Sequence, residues 1–116
     1  ATFSENMKKI GFAHELVELI KDGTKTLTYR LGDKYNILNI GDQIEVLDSS
    51  TYEAFGIIEI ADKSFANFID LPINRSGHET YKDKDDMRKI FSGYYKQSIL
   101  DHYKFLILEF KVIKIY

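Results

Sequence analysis

The sequence predicts an α+β domain: a small curled β-barrel of about five or six mostly antiparallel strands, with two or three helices at its opening. Three observations predict it. Apolar and polar residues alternate over several short runs, the period of half-buried strands. Other stretches carry apolar residues at helical spacing. In the last run, Tyr103 to Tyr116, the apolar positions change parity: Leu106, Leu108, Phe110 and Val112 share one, Ile113 and Ile115 the other. A bulge or bend accounts for such a switch, and bulges curl the strands of small barrels. At 116 residues the chain reads as a single domain, long enough for a hydrophobic core.

The elements follow in order. Residues 1–6 are polar and read as a flexible tail. Lys8 to Phe12 reads as a short strand. His14 to Asp22 reads as a helix, with Ala13, Leu16, Val17 and Ile20 on its apolar side. Gly23 is placed to end it, because glycine tolerates the left-handed conformation common past a helix C-terminus. A strand then runs from Thr26 to Leu31. Gly32-Asp33 opens a loop, and Gly41-Asp42 marks a turn before a strand from Gln43 to Leu47. The order strand, Gly-Asp turn, strand predicts antiparallel pairing. Ala54 to Ala61 is nearly continuous apolar sequence and reads as a central strand. Ser64 is a candidate cap for a short helical turn with Phe65, Phe68 and Ile69 as its apolar face, ended by Pro72. Asn74 to Lys82 is a polar loop. Asp83 is a candidate N-cap of a second clear helix, in which Met87, Ile90, Phe91 and Tyr94 form the apolar stripe.

Composition narrows the function. The hydrophobic fraction of 44% and charged fraction of 29% are those of a globular rather than a disordered chain. A formal net charge of -2 argues against a protein coated in basic residues for non-specific nucleic-acid binding. A local basic site is still available, since Lys21, Lys25, Arg30 and Lys34 fall close together. No apolar run approaches the ~20 residues of a membrane helix, so no membrane partner is expected. The chain has no cysteine, which excludes disulfides and thiolate metal sites. The expected location is cytoplasmic. His14, His78 and His102 lack the short spacing of a metal pair, and neither a metal nor another cofactor is expected.

The densest chemistry lies in Gly23-Thr24-Lys25-Thr26-Leu27-Thr28-Tyr29-Arg30. Strand alternation puts Thr26, Thr28 and Arg30 on one face and Leu27, Tyr29 and Leu31 on the other. The first face can line a polar cleft entered past Lys25. Thr28 is a weak nucleophile unless a base removes its proton. Lys25 can be that base if burial or a neighbouring cation lowers its pKa. Arg30 can grip a phosphate or carboxylate through two donors. Threonine is also simply a good strand former, and Lys and Arg commonly take exposed positions. In the polar loop, Glu79 beside His78 can act as a general acid or base if the loop folds over the cleft. Tyr94 fits the buried helix stripe, which leaves Tyr95 free to face the cleft and stack on a base.

Taken in order, the Gly23–Arg30 block, Gly41-Asp42, Gly77-His78-Glu79, the helix ending in Tyr94-Tyr95 and the terminal strand resemble the ASCH domain from about Lys8 to the C-terminus. The resemblance implies a PUA-like fold, a small curled barrel with helices at its opening, and a cleft associated with RNA and nucleotide metabolism. It implies RNA or a modified nucleoside as partner. Small bacterial members resemble amidohydrolases that deacetylate N4-acetylcytidine with a lysine and a threonine from this block and a distant glutamate. Carried over, these are Lys25, Thr28 and Glu79 as catalytic residues, with Thr26, Arg30, His78 and Tyr95 binding the ligand. Other members are associated with ribonuclease activity or with no activity, so a metal-independent ribonuclease and a non-catalytic RNA-binding or regulatory module stand as alternatives.

Overall fold

A computed structural model describes residues 7–116; the tail expected over 1–6 lies outside the described residues. The chain forms β1 (Lys9–Phe12), α1 (His14–Lys21), β2 (Leu27–Leu31), β3 (Gln43–Asp48), β4 (Ala54–Asn67), a 3-10 turn (Phe68–Asp70), α2 (Lys84–Tyr95) and β5 (Lys104–Ile115). The five strands make one sheet in the order β1-β3-β4-β5-β2. β1 pairs with β3 in parallel, and the other three pairings are antiparallel. The architecture is therefore α+β with a mixed sheet.

One feature departs from the small curled, mostly antiparallel barrel the sequence predicts. No ladder joins the edge strands β1 and β2, so the hydrogen-bonded sheet is open. The edges are nevertheless bridged by one side chain, because Arg30 on β2 donates from Nη2 to the Gly11 carbonyl on β1 at 2.7 Å. Among the described residues the helical content is two α-helices and one 3-10 turn.

Curling comes from the bulges. Along the β4–β5 ladder Ile57 faces Lys114 and Ile58 faces Val112, which leaves Ile113 as the extra residue. That is where the apolar parity switches. A second irregularity falls at Ala61, between Ile60 opposite Phe110 and Asp62 opposite Glu109. Each adds local twist and bends its strand.

β4 continues to Asn67, so the helical turn expected at Ser64 does not form. Ser64 instead pairs with Ile107 in the ladder, and the short turn begins only at Phe68. The apolar spacing misled because Phe65 and Ile69 are exposed and only Phe68 is buried. The strands flanking the Gly41-Asp42 turn are also not partners: β2 pairs with β5, and β3 pairs with β4. The second helix starts as expected, with Asp83 Oδ1 accepting from the Asp86 amide at 2.7 Å and capping an orphan donor.

β5 has both faces buried and separates two cores. Leu106, Leu108 and Phe110 face a largely aliphatic core with Val17 and Ile20 of α1. Phe105 and Ile107 face a second core with Met87 and Phe91 of α2. The second core is aromatic: Phe91 meets Tyr81 edge-on at 5.7 Å, with Phe68 at 5.9 Å and Phe105 at 5.5 Å. β2 hangs on the free edge of β5. Thr28 and Arg30 pair with Leu108 and Leu106, while Tyr29 pairs with Ile107. Directly opposed residues share a face, so β2 presents its polar pair toward the first core and Tyr29 toward the second.

Candidate functional site

Because β2 is an edge strand, side chains from both of its faces reach one cleft of about 330 Å³. Thr28 and Arg30 enter from one side, and Tyr29, His78 and Tyr81 from the other, with Lys25 and Glu79 also in the wall. α1 and the end of α2 contribute Leu16, Tyr94 and Tyr95.

The loop between the 3-10 turn and α2 is fixed to the start of β2. The Gly77 carbonyl accepts from the Thr26 amide at 2.8 Å and the Leu27 amide at 3.2 Å. Gly77 has φ +86°, and a Cβ there would lie 2.2 Å from Thr26 Oγ1. Glycine thus meets both the backbone conformation and the close approach. The next two residues are thereby carried to Lys25. Its Nζ donates to Glu79 Oε2 at 2.6 Å, with the Lys25 side chain only 3% exposed and that of Glu79 29% exposed. Burial pushes the Lys25 ammonium below its ordinary 10.5; the Glu79 carboxylate opposes that shift and the Arg30 charge adds to it.

The His78 side chain is 5% exposed, and its ring stacks on Tyr29 with centroids 4.2 Å apart. Its Nδ1 lies 3.0 Å from the Glu79 carbonyl oxygen. Burial first, then the Lys25 charge, hold the imidazole below its ordinary 6.5, against the pull of Glu79.

Thr28 is buried. Its Oγ1 accepts from Arg30 Nε at 2.9 Å. Among the described residues no hydrogen bond joins Thr28 directly to Lys25 or Glu79, so the three converge on one cleft as an ion pair plus a neighbour. The Arg30 guanidinium lies 4.7 Å from the Phe12 ring centroid and 5.0 Å from that of Tyr35. Among the described residues it has no carboxylate partner within salt-bridge distance, whereas Lys25 is matched by Glu79, so in the cleft Lys25 is ion-paired and Arg30 is not.

Two of the expected ligand-binding residues sit differently from the others. Thr26 is exposed and lies outside the cleft lining, where its amide and hydroxyl support Gly77. Tyr95 lines the cleft but does not present a free ring. It packs edge-on to Phe91 and Phe105, its hydroxyl accepts from the Leu31 amide at 3.1 Å, and it donates to the Tyr29 carbonyl at 3.4 Å. Tyr94, expected in the buried stripe, is 52% exposed at the mouth and donates to Glu15 of α1 at 3.3 Å. Met87 and Phe91 are the buried residues of α2, and Tyr95, four further on, is half-buried, so the packed face follows the i+4 row and leaves Tyr94 at its margin. Tyr81 and Tyr35 escaped the sequence reading altogether. Each is an isolated aromatic in a loop, with no periodicity to mark it.

No protein-family model matches the sequence, and no curated protein matches it. Solved structures do. A protein from Enterococcus faecalis V583, described by the family model DUF984, superposes with TM-score 0.70 at 18% identity, over 89% of this chain and 69% of that one. An ASCH domain from Lactobacillus crispatus JV V101 gives TM-score 0.65 at 18% identity, over 97% and 84%. An ASCH protein from Zymomonas mobilis gives 0.62 at 14%, over 93% and 73%. Lysine, threonine, arginine and glutamate thus sit around one cleft in a chain that has the fold of the ASCH domain structures.

Proposed function

We propose that the cleft takes a single modified nucleoside and hydrolyses the amide of an N4-acylated cytidine, in the manner of the small ASCH-type amidohydrolases the sequence resembles. One observation carries the reading: a buried lysine with a lowered pKa, held by Glu79 at 2.6 Å, in the same wall as a buried threonine hydroxyl. The cleft volume of about 330 Å³ is at the small end of ligand pockets, roughly 300–1,000 Å³. That suits one nucleoside better than a length of RNA.

In the proposed reaction Lys25, after giving up its ammonium proton, takes the Thr28 proton as Oγ1 bonds to the acyl carbon, and the carbonyl electron pair moves onto oxygen. Collapse of this tetrahedral centre breaks the C–N4 bond, and N4 takes the proton back from Lys25. Lys25 then takes a proton from a water as its oxygen bonds to the acyl carbon; collapse breaks the C–Oγ1 bond, Lys25 returns the proton to Thr28 Oγ1, and the acyl group leaves as its acid. Glu79 orients Lys25 through both steps. His78, stacked on Tyr29, closes the cleft wall on the aromatic side.

Incubation with N4-acetylcytidine, followed by chromatography, tests this. The parent protein yields cytidine and acetate, and Lys25→Met and Thr28→Ala do not. No turnover by the parent sinks the reading; full turnover by Thr28→Ala sinks the nucleophile. A second reading is a module that binds RNA or a nucleoside without chemistry. It is favoured by the lack of a direct Thr28–Lys25 hydrogen bond, and it predicts tight nucleoside binding with no product.

A further inference from the structure

We infer that Arg30 is a positioning residue for Thr28 rather than a grip for an anionic group of the ligand. The inference rests on the hydrolase reading for its substrate but on geometry for its substance. A guanidinium grips a carboxylate or phosphate through two donors, side-on through Nε and Nη2 or end-on through Nη1 and Nη2. In this chain the side-on pair is engaged, Nε with Thr28 Oγ1 at 2.9 Å and Nη2 with the Gly11 carbonyl at 2.7 Å, and the end-on pair shares Nη2. The Gly11 contact fixes the fork against β1, and the Phe12 and Tyr35 rings lie within 5.0 Å of its centre. Arg30 is thus a bracket between the two sheet edges, with the threonine oxygen in its grip.

The chemical consequence concerns the proton. A hydroxyl oxygen that accepts from a fixed N–H must direct its own O–H elsewhere. One lone pair of Thr28 Oγ1 is taken by Arg30, which constrains the O–H and leaves the other lone pair for attack. When the base removes that proton, the negative charge grows on an oxygen already facing a cation in a buried site. Such a preorganised donor is worth about 10²–10³-fold where charge develops in a transition state. Lysine at this position would keep the charge but lose the two-donor fork.

Two measurements test the inference. The first is turnover of N4-acetylcytidine by the parent, Arg30→Lys and Arg30→Gln, with folding checked by circular dichroism. Expected is a kcat loss on the order of 10²-fold in both variants, KM within about threefold, and a pH–rate profile displaced upward in Arg30→Gln. A raised KM at unchanged kcat makes Arg30 a ligand grip and overturns the inference, as does an unchanged variant. The second is acylation by a β-lactone, whose ring opens to an ester on a nucleophilic hydroxyl, mapped by peptide mass. Expected is labelling of Thr28 ahead of Thr24 and Thr26 in the parent, slowed about tenfold in Arg30→Lys. Labelling without such a preference overturns the inference even where no variant folds. Thr28 labelling that is slowed in Arg30→Lys, with no turnover of N4-acetylcytidine, upholds it while removing the proposed substrate.

Discussion

The cleft has two walls, built by different means. The strand wall, Thr28 and Arg30, belongs to β2, whose whole length from Leu27 to Leu31 is laddered to β5. Its side chains are placed by a repeating backbone and by a period of two. The loop wall, His78 and Glu79, is held by a handful of contacts: Gly77 on Thr26 and Leu27, the His78 amide on the Arg75 carbonyl, the Tyr81 amide on the Ile73 carbonyl. Behind it stands the aromatic core rather than a sheet. The strand wall is therefore rigid by construction. The loop wall is precise only as long as its few anchors and its aromatic backing persist, which makes it the more fragile of the two.

The largest effect expected comes from removing that backing. Phe91 is 5% exposed and touches Tyr29, Tyr81, Tyr95, Phe68 and Phe105. Phe91→Ala is expected to cost about 3–5 kcal/mol, from lost burial plus the cavity left behind. Denaturant titration measures it. A cost below about 1 kcal/mol would mean that the loop wall does not depend on this core.

Gly77 comes next. Gly77→Ala places a methyl 2.2 Å from Thr26 Oγ1 at a φ of +86°. The strain is expected to be on the order of 1–3 kcal/mol, and the displaced loop carries Glu79 off Lys25. Thr26→Ala in the same chain removes the clashing oxygen and should recover part of the loss, leaving the cost of the backbone conformation. If the double variant is no more stable than Gly77→Ala, close approach is not what requires glycine there.

The same contrast explains what the sequence disclosed. The strand wall was legible, because alternation within β2 and the parity switch at Ile113 are local patterns. So was the α2 start, where Asp83 precedes an apolar row. The loop wall was not legible from pattern. Glu79 meets Lys25 across 54 positions, and only the resemblance of the motif order brought the two together. Tyr94 and Tyr95 exchanged roles because two helical spacings, i+3 and i+4, fit the same short stripe. The β4 extension through Ser64 was hidden since Phe65, Phe68 and Ile69 mimic a helical face. β2 chose β5 over β3 through a pairing that no nearby turn announces.

A smaller effect is expected in the pH dependence of the Lys25–Glu79 contact. Burial lowers the Lys25 pKa from 10.5, so the unfolded chain holds this proton more tightly than the folded one. Stability then rises with pH from the lowered folded value up to 10.5, and below that value the cost of burying the ammonium is present in full. Unfolding free energies of the parent and Lys25→Met, taken from neutral pH upward, should converge or cross, with the rise confined to the parent. Tyr29 and Tyr81, whose pKa values are raised by burial, titrate in both proteins and cancel in the difference. Parallel curves would show that Lys25 is not strained by its burial.

The smallest effect belongs outside the cleft, where the end of β3 is anchored to α1. His14 Nδ1 lies 2.5 Å from Asp48 Oδ2, and Asp48 Oδ1 accepts from the Ser50 amide and hydroxyl. The hydrogen bond and charge of Asp48 raise the His14 pKa above 6.5. His14 and the Ser50 donors hold Asp48 down to about 2. The two signs differ. The His14 contribution is complete below 6.5 and is lost as pH rises through its raised value; the Asp48 contribution is complete above 3.8 and is lost as pH falls toward about 2. The clamp is thus strongest in mildly acidic solution, between those limits. His14→Gln should remove the high-pH decline while sparing the Ser50 half of the low-pH one. Because the His14 side chain is 73% exposed, solvent screens the pair and the change in melting temperature should be slight. Catalysis should not move, since the helix is also held by Val17 and Ile20 in the first core. A large loss of turnover in His14→Gln at unchanged stability would instead extend the working site from the two walls to this outer clamp.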